Sequence, residues 1–231
     1  MRRKNILFGA AVCVVIAAIV LGLFAGTRRR LKRDIAPVPI DPNRPVVALT
    51  FDDGPNARYT PQVLDVLYEE QVPATFFLVG EKFPGNELLI REMAACGHEI
   101  GSHTFSHPDL TTLDDRNIRW EIQQTEKQLK EILPDYSIRY VRPPYGRYTE
   151  SVRNAAGVPL VLWTIDSGDW EDPDAETIYT TVVGAIEDGD IVVFHDDNAQ
   201  TVEALEKIVS ELKARGFQFV TVSRLYEYQS Q

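Results

Sequence analysis

The 231-residue sequence predicts an α/β domain in which helices cover a parallel β-sheet. Short apolar runs with the character of strands alternate along the chain with amphipathic segments of helical period. The strand candidates are apolar on both faces, which is typical of parallel sheets buried between helices. Polar side chains follow several of these runs directly. An open doubly wound sheet and a closed (β/α) barrel both satisfy this pattern.

The N-terminal part of the chain predicts a membrane anchor. An uncharged apolar stretch at positions 6–25 lies between two clusters of Arg and Lys. About 20 apolar residues are enough to cross the hydrocarbon core of a bilayer as a helix. A cleaved signal peptide is the alternative, but cleavage after Ala25 would place Leu23 where a small residue is expected. We therefore expect one transmembrane signal anchor within residues 1–33.

The charge balance argues against nucleic acid as a partner. Eight of the 24 Lys and Arg residues lie in the first 33 positions, which leaves 16 against 34 Asp and Glu in residues 34–231. Nucleic acid binding needs a basic surface, whereas a neutral polymer is compatible with an acidic one. The two cysteines, Cys13 and Cys96, provide neither a disulfide framework nor a cysteine-based zinc site.

The rest of the chain divides into a linker and one domain. Four prolines in residues 34–45 predict an extended linker, and residues 46–231 form the domain. Gly97 and Gly216 are placed as C-terminal stops of helices. Amphipathic helices are predicted at residues 61–70 and 114–133, and strands at residues 46–51, 74–79, 99–102, 140–141, 160–164, 191–194 and 217–222.

Side chains that can do chemistry lie at or just after the ends of five strand candidates. They are Asp52, His103, Arg142, Asp166 and His195. In parallel α/β folds the carboxyl ends of the strands converge on one face, where active sites are built. We therefore expect the active site on that face, and no nucleotide-binding signature opens any helix.

Two pairs of residues predict a metal-dependent hydrolase. Asp52 and Asp53 leave the first strand together, so one can bind a metal while the other handles a proton. Turn formation with Gly54 is their alternative role. His103 and His107 are four positions apart, which on a helix or a tight turn brings both rings to one side. With one carboxylate they form a set that suits zinc and leaves a position for water, whereas the alternative is a structural pair.

Arg142 and His195 are candidates for charge compensation and proton donation. Two carboxylates that face one cleft repel each other unless a positive charge compensates them, and Arg142 can supply it. His195 follows an apolar strand and can protonate a leaving group from the side opposite a base. Its alternative role is that of a core histidine hydrogen-bonded to Asp196 or to the backbone.

Five ordered motifs resemble those of the polysaccharide deacetylases, which are also known as carbohydrate esterase family 4 or the NodB-homology group. The resemblance covers residues 44–225, and five motifs in order are far more specific than any one of them. The motifs are Thr-Phe-Asp-Asp-Gly-Pro at 50–55, His-x-x-x-His at 103–107, Arg-Pro-Pro-Tyr-Gly at 142–146, Asp-Ser-Gly-Asp-Trp at 166–170 and Val-Phe-His-Asp at 193–196.

This resemblance implies a distorted (β/α) barrel and metal-assisted hydrolysis of an acetamide on a sugar. Asp53, His103 and His107 would bind one divalent ion, with zinc first and cobalt, manganese or nickel as alternatives. Asp52 would be the general base that takes a proton from water, with Arg142 fixing its position.

The remaining implied roles concern the leaving group and the substrate pocket. His195 would be the general acid, with Asp169 orienting it; Asp166 is the other candidate for that partner. The backbone N–H of Tyr145 would stabilise the oxyanion. Trp170 and Val193 would line the pocket for the acetyl methyl group.

The expected function is that of a membrane-anchored deacetylase of an N-acetylated cell-wall glycan such as peptidoglycan. Chitooligosaccharide or xylan deacetylation, a glycan-binding module without turnover, and hydrolysis of a small amide or cyclic imide are the alternatives. The larger basic cluster follows the apolar stretch, so the positive-inside rule alone would keep the domain in the cytoplasm. Because a cell-wall polymer lies beyond the membrane, we expect the domain outside.

Overall fold

The computed structural model of the chain describes residues 34–36 and 39–230. Its strands are β1 (Val46–Asp52), β2 (Thr75–Leu78), β3 (Glu99–Ser102), β4 (Ile165–Asp166), β5 (Asp190–His195) and β6 (Gln218–Phe219). Its α-helices are α1 (Thr60–Glu69), α2 (Glu87–Ala95), α3 (Asp115–Ile132), α4 (Glu150–Ala156), α5 (Ala175–Ala185), α6 (Ala199–Ala214) and α7 (Val222–Gln229).

The predicted membrane-spanning segment, residues 1–33, lies outside the described residues. Within the part of the chain that the structure describes, no helix is both long and apolar enough to cross a membrane. Part of the predicted linker packs on the domain: Ile35 is buried, and its N–H donates to the carbonyl of Cys96 over 2.9 Å.

The six strands form one parallel sheet in the order β3-β2-β1-β5-β4, and β6 pairs with the start of β1. Every strand pairing is parallel. Parallel neighbours need crossover connections, and helices α1, α2 and α5 supply them between β1 and β2, β2 and β3, and β4 and β5. The predicted parallel α/β class is therefore confirmed.

Strand β1 lies at the centre of the sheet and is buried along its whole length. Alternate side chains point to opposite faces of a strand. Val47, Leu49 and Phe51 belong to the main hydrophobic core, which also contains apolar residues of α1, α2 and α6. Thr50 and Asp52 therefore project from the opposite face. This alternation points Thr50 and Asp52 to one face of the strand, while the apolar side chains of the other face pack in the main core.

Single bridges extend the sheet beyond β3. Val141 bridges to Ser102 on one side and to Leu160 on the other. The predicted strands at 140–141 and 160–164 are thus reduced to single bridges, and the regular strand of this region lies later, at β4. Two carbonyls between Leu160 and β4 accept hydrogen bonds from the guanidinium of Arg142, so they are not available to a strand ladder.

Helix ends agree with the sequence signals. Asp114 caps α3 by accepting a hydrogen bond from Asn117 N–H over 2.8 Å. Gly97 and Gly216 follow helices α2 and α6 with φ angles of +88° and +87°, which favour glycine. The predicted strand at 217–222 is shorter than expected, because Thr221 caps helix α7 and turns the chain after β6.

Candidate functional site

A cleft of about 650 Å³ opens at the carboxyl ends of β1, β3 and β5. Nine of the ten predicted site residues line it. They are Asp52, Asp53, His103, His107, Tyr145, Asp169, Trp170, Val193 and His195. The tenth, Arg142, is fully buried behind Asp52. The structure therefore brings all the predicted residues to one edge of the sheet, as parallel strands do.

Three of these side chains converge on one point. The ligand atoms of Asp53, His103 and His107 all lie within 4.8 Å of one another. Oδ1 of Asp53 is 3.5 Å from Nε2 of His103 and 3.3 Å from Nε2 of His107. This Oδ1 atom is buried and accepts no hydrogen bond within the described residues. A buried carboxylate oxygen without a donor is costly, and a cation would supply what it lacks.

The tautomer of His103 leaves its Nε2 atom free to bind a metal. Its Nδ1 lies 2.7 Å from the carbonyl oxygen of Arg142. A carbonyl only accepts, so Nδ1 carries the proton and Nε2 presents its lone pair towards Asp53. Burial lowers the pKa of His103, against the raising effects of Asp52 and Asp53, so the ring is held neutral. The donor set fits a divalent ion, zinc included.

The backbone reaches this arrangement through residues with positive φ angles. The histidine pair lies in a loop after β3 and not on a helix, with φ of +70° at Thr104 and +59° at His107. Asp53 has a φ of +69°, and its carbonyl accepts a hydrogen bond from Nζ of Lys82 over 2.7 Å. Non-glycine residues rarely adopt such angles, and strain of this kind concentrates at functional sites.

Asp52 is held on the inner side of the cleft by a buried ion pair. Its Oδ1 accepts a hydrogen bond of 2.8 Å from Nη1 of Arg142, and the same nitrogen donates to Oγ1 of Thr50 over 2.7 Å. The guanidinium lies 4.2 Å from the ring centre of Phe77. Oδ2 of Asp52 is 3.9 Å from Nε2 of His103 and faces the metal ligands. One oxygen is thus fixed, and the other is directed at the site.

His195 and Asp169 form a second hydrogen-bonded pair across the cleft. Nδ1 of His195 donates to Oδ1 of Asp169 over 2.7 Å, and its backbone N–H donates to Oδ2 over 2.7 Å. Oγ1 of Thr201 also donates to Oδ2. Burial lowers the pKa of His195, but the hydrogen bond and the charge of Asp169, with Asp52 and Asp53, raise it to about 9. The ring is therefore protonated at neutral pH.

The two alternative partners of His195 are engaged elsewhere. Asp166 accepts hydrogen bonds from the backbone of Gly168 and from Nε1 of Trp170. Asp196 is fully buried and accepts a hydrogen bond from Oγ1 of Thr60. Burial raises the pKa of Asp196 to about 7, against the lowering effect of Thr60.

The predicted substrate-contacting residues flank the cleft. Tyr145 has a φ of +61°, is 60% exposed, and its ring meets the ring of His107 edge to face at 4.9 Å. Trp170 is also 60% exposed. Val193 is buried at the floor of the cleft. Two exposed aromatic side chains and an apolar floor suit a sugar that carries a small acyl group.

Sequence reasoning missed several residues that support the site. Thr50 could have been found, because it lies on the same face of β1 as Asp52. Thr201 and Glu121, which hydrogen-bond to Asp169 and to the loop of the histidine pair, lie on helices α6 and α3 without a local signal. His98 lies outside the cleft: its Nδ1 accepts a hydrogen bond from a backbone N–H, and burial lowers its pKa to about 4.

A family model described as "Polysaccharide deacetylase" matches residues 40–158 of the chain. A chitooligosaccharide deacetylase of Sinorhizobium fredii is 38% identical over 189 residues, which cover 75% of this chain and 88% of the relative. A peptidoglycan-N-acetylglucosamine deacetylase of Bacillus cereus is 40% identical over 194 residues, which cover 80% of this chain and 90% of the relative. The solved structure of the peptidoglycan deacetylase PdaC from Bacillus subtilis superposes with a TM-score of 0.80 at 36% identity, covering 83% of this chain and 95% of that chain.

Replacing Asp169 tests the electrostatic origin of the His195 charge. In Asp169→Asn the pKa of His195 is expected to fall well below about 9, because burial remains while the negative partner is lost. Titration of the histidine ring by NMR in the metal-free protein measures it. Asp166→Asn is the matched control and should leave the pKa of His195 unchanged. An equal fall in both variants, or none in either, would contradict this assignment.

Proposed function

The chain belongs to the polysaccharide deacetylase family, and from that membership we propose that it hydrolyses N-acetyl groups of a cell-wall glycan, with peptidoglycan as the leading substrate. The single observation that carries the proposal is the arrangement in the cleft. Three metal-ligating side chains meet within 4.8 Å of one another. A carboxylate, Asp52, and a protonated imidazole, His195, stand beside them.

Asp53, His103 and His107 would hold one divalent ion, for which zinc is the best match to two imidazoles and a carboxylate. When bound, such an ion lowers the pKa of a water molecule and polarises a carbonyl group. Cobalt, manganese and nickel accept similar ligands. The orphaned Oδ1 atom of Asp53 and the free Nε2 lone pair of His103 support this ligand assignment.

Asp52 is proposed as the general base. Arg142 engages its Oδ1 atom, which leaves Oδ2 to accept the proton of the attacking water. The guanidinium also compensates a negative charge that would otherwise lie unpaired in a buried position.

His195 is proposed as the general acid. The amine that leaves an amide is too basic to depart unprotonated, so a donor is needed opposite the base. Asp169 occupies Nδ1 of His195 and keeps the ring charged, which leaves the Nε2–H to be given to the leaving nitrogen. Thr201 restrains Asp169, so the donor points in a fixed direction.

The acetyl group would lie between the two proton-transfer residues. The backbone N–H of Tyr145 is proposed to donate to the developing oxyanion, and its left-handed conformation is the feature that supports this role. Trp170 and Val193 would contact the acetyl methyl group, because both line the same cleft.

Deacetylation of a short chitooligosaccharide is the second candidate. The 38% identical relative from Sinorhizobium fredii bears that name and matches about as much of the chain as the peptidoglycan deacetylases do. Both substrates present the same N-acetylglucosamine acetamide to the cleft, so the chemistry described above serves either. They differ in length, which a direct comparison of substrates resolves.

We also propose that the domain is tethered to the outer side of the cell membrane. The apolar stretch at residues 6–25 has the length of a membrane-spanning helix, and it precedes the linker and the domain. A cell-wall polymer is reached only from outside. This requirement outweighs the larger basic cluster at residues 28–33, which alone favours the opposite orientation.

Acetate release tests the catalytic proposal. The protein should release acetate from peptidoglycan or N-acetylglucosamine oligomers with divalent metal and none after chelation. Asp52→Asn should lower kcat by about 10²–10⁴-fold, as expected for loss of a general base, while it still binds the metal. Asp197→Asn changes another carboxylate of the cleft and should retain activity. Absence of acetate from every acetylated glycan, acetylated xylan included, in metal-replete enzyme would refute the proposal and favour a glycan-binding module.

Protease accessibility tests the proposed topology. The full chain with a C-terminal epitope would be expressed in cells whose wall is then removed, and protease added to the intact cells. Loss of the epitope before permeabilisation is expected, because the domain would lie outside the membrane. A cytoplasmic marker protein in the same cells should survive. If the epitope survives until the cells are opened, the exterior assignment is wrong.

A further inference from the structure

The loop that joins the two histidine ligands adopts a backbone that its own sequence does not favour. Thr104 has a φ of +70° and His107 has a φ of +59°. A β-branched residue such as threonine is a clear outlier at positive φ, and the loop contains no glycine between the two histidines. Local preference therefore does not explain the conformation. One hydrogen bond within the loop, from the N–H of His107 to Oγ1 of Thr104 over 3.1 Å, joins these two residues, and contacts from outside the loop add to it.

One carboxylate supplies three of the contacts from outside the loop. Glu121 lies in helix α3 and is only 6% exposed. Its Oε2 atom accepts hydrogen bonds from the backbone N–H groups of Phe105 and Ser106 over 2.9 and 2.8 Å. Its Oε1 atom accepts from Oγ of Ser106 over 2.7 Å. A buried carboxylate with three donors is fixed in position and fixes its donors in return.

The opposite side of the loop is held by backbone groups. The carbonyls of Thr104 and Phe105 accept hydrogen bonds from the N–H groups of Gly80 and Glu81 over 3.0 and 2.9 Å. The loop thus lies between helix α3 and the turn after β2. The contacts at Gly80 and Glu81 are independent of side-chain identity, so Glu121 is the side chain on which this clamp depends.

We propose that Glu121 is a positioning residue for the metal centre. By clamping residues 105 and 106, it sets the directions of His103 and His107 so that both Nε2 atoms face Asp53. The inference rests on the proposed function, since it assigns a role toward the same metal. Glu121 does not line the cleft and touches neither substrate nor reacting atoms.

Glu99 provides a matched control. It too accepts three hydrogen bonds, from Oγ1 of Thr75 and from the N–H and Oγ of Ser223. Glu99 begins strand β3, whereas His103 follows the other end of that strand. Glu99 therefore lies at the end of β3 that is away from the metal ligands. Removal of Glu99 therefore eliminates as many hydrogen bonds as removal of Glu121, but none of them involves the loop of the histidine pair.

Cobalt(II) binding to the full chain, kept in a mild detergent, distinguishes a residue that positions the metal ligands from one that only stabilises the fold. Glu121→Ala should weaken cobalt binding about tenfold to hundredfold and alter the visible spectrum of the bound ion, as loss of support around metal ligands does. Glu121→Gln keeps acceptors for the backbone N–H groups and should bind cobalt nearly as the wild type does. Glu99→Ala should lower the thermal midpoint of unfolding and leave cobalt affinity and spectrum unchanged.

The outcomes distinguish this inference from the proposed function. If the wild type binds cobalt and Glu121→Ala binds it equally well with the same spectrum, Glu121 serves stability alone and the inference fails. If the wild type itself binds no cobalt, the metal centre fails and the inference fails with it. Should Glu121→Ala not fold, Glu121→Asp places the carboxylate one methylene short and is expected to weaken binding; wild-type affinity in that variant would overturn the inference.

Discussion

The active site depends on the convergence of Asp53, His103 and His107 on one point at the carboxyl edge of a parallel sheet. Their ligand atoms lie within 4.8 Å of one another, and Oδ1 of Asp53 accepts no hydrogen bond within the described residues. Such an arrangement is unfavourable unless a cation is bound, because buried acceptors that lose water must gain a partner. The fold supplies the convergence: β1 and β3 end on the same face, and each ligand-bearing loop leaves its strand through residues in strained conformations.

Around this point, Asp52 and His195 each lie beside a partner of opposite charge. Asp52 lies against the buried guanidinium of Arg142, which compensates its negative charge. His195 lies against Asp169, which favours the positive imidazolium. A base and an acid can thus coexist in one small cleft near neutral pH, which hydrolysis of an amide requires. Without Asp169, His195 would lose the hydrogen bond and the charge that raise its pKa.

Secondary structure could be predicted from the sequence where the apolar periodicity and the capping residues agree. It could not be predicted where long-range interactions decide the conformation. Strand β1 and the helix capped by Asp114 could be predicted closely, because burial pattern and capping residues are local. The strands expected near Val141 and Leu160 shorten to bridges, since Arg142 uses nearby carbonyls that a ladder would need. The site residues came from ordered motifs. Glu121 carries no local signal, because its role arises from the packing of helix α3 against a distant loop.

X-ray absorption spectroscopy of the zinc-loaded full chain measures the ligand set of the metal. We expect one bound zinc whose first shell contains two imidazole nitrogens and oxygen ligands at about 2.0–2.1 Å, with outer-shell scattering from two histidine rings. Replacement of His107 by alanine should remove the scattering of one ring. A shell made only of oxygen, or one that contains sulfur at about 2.3 Å, would contradict the proposed ligand set.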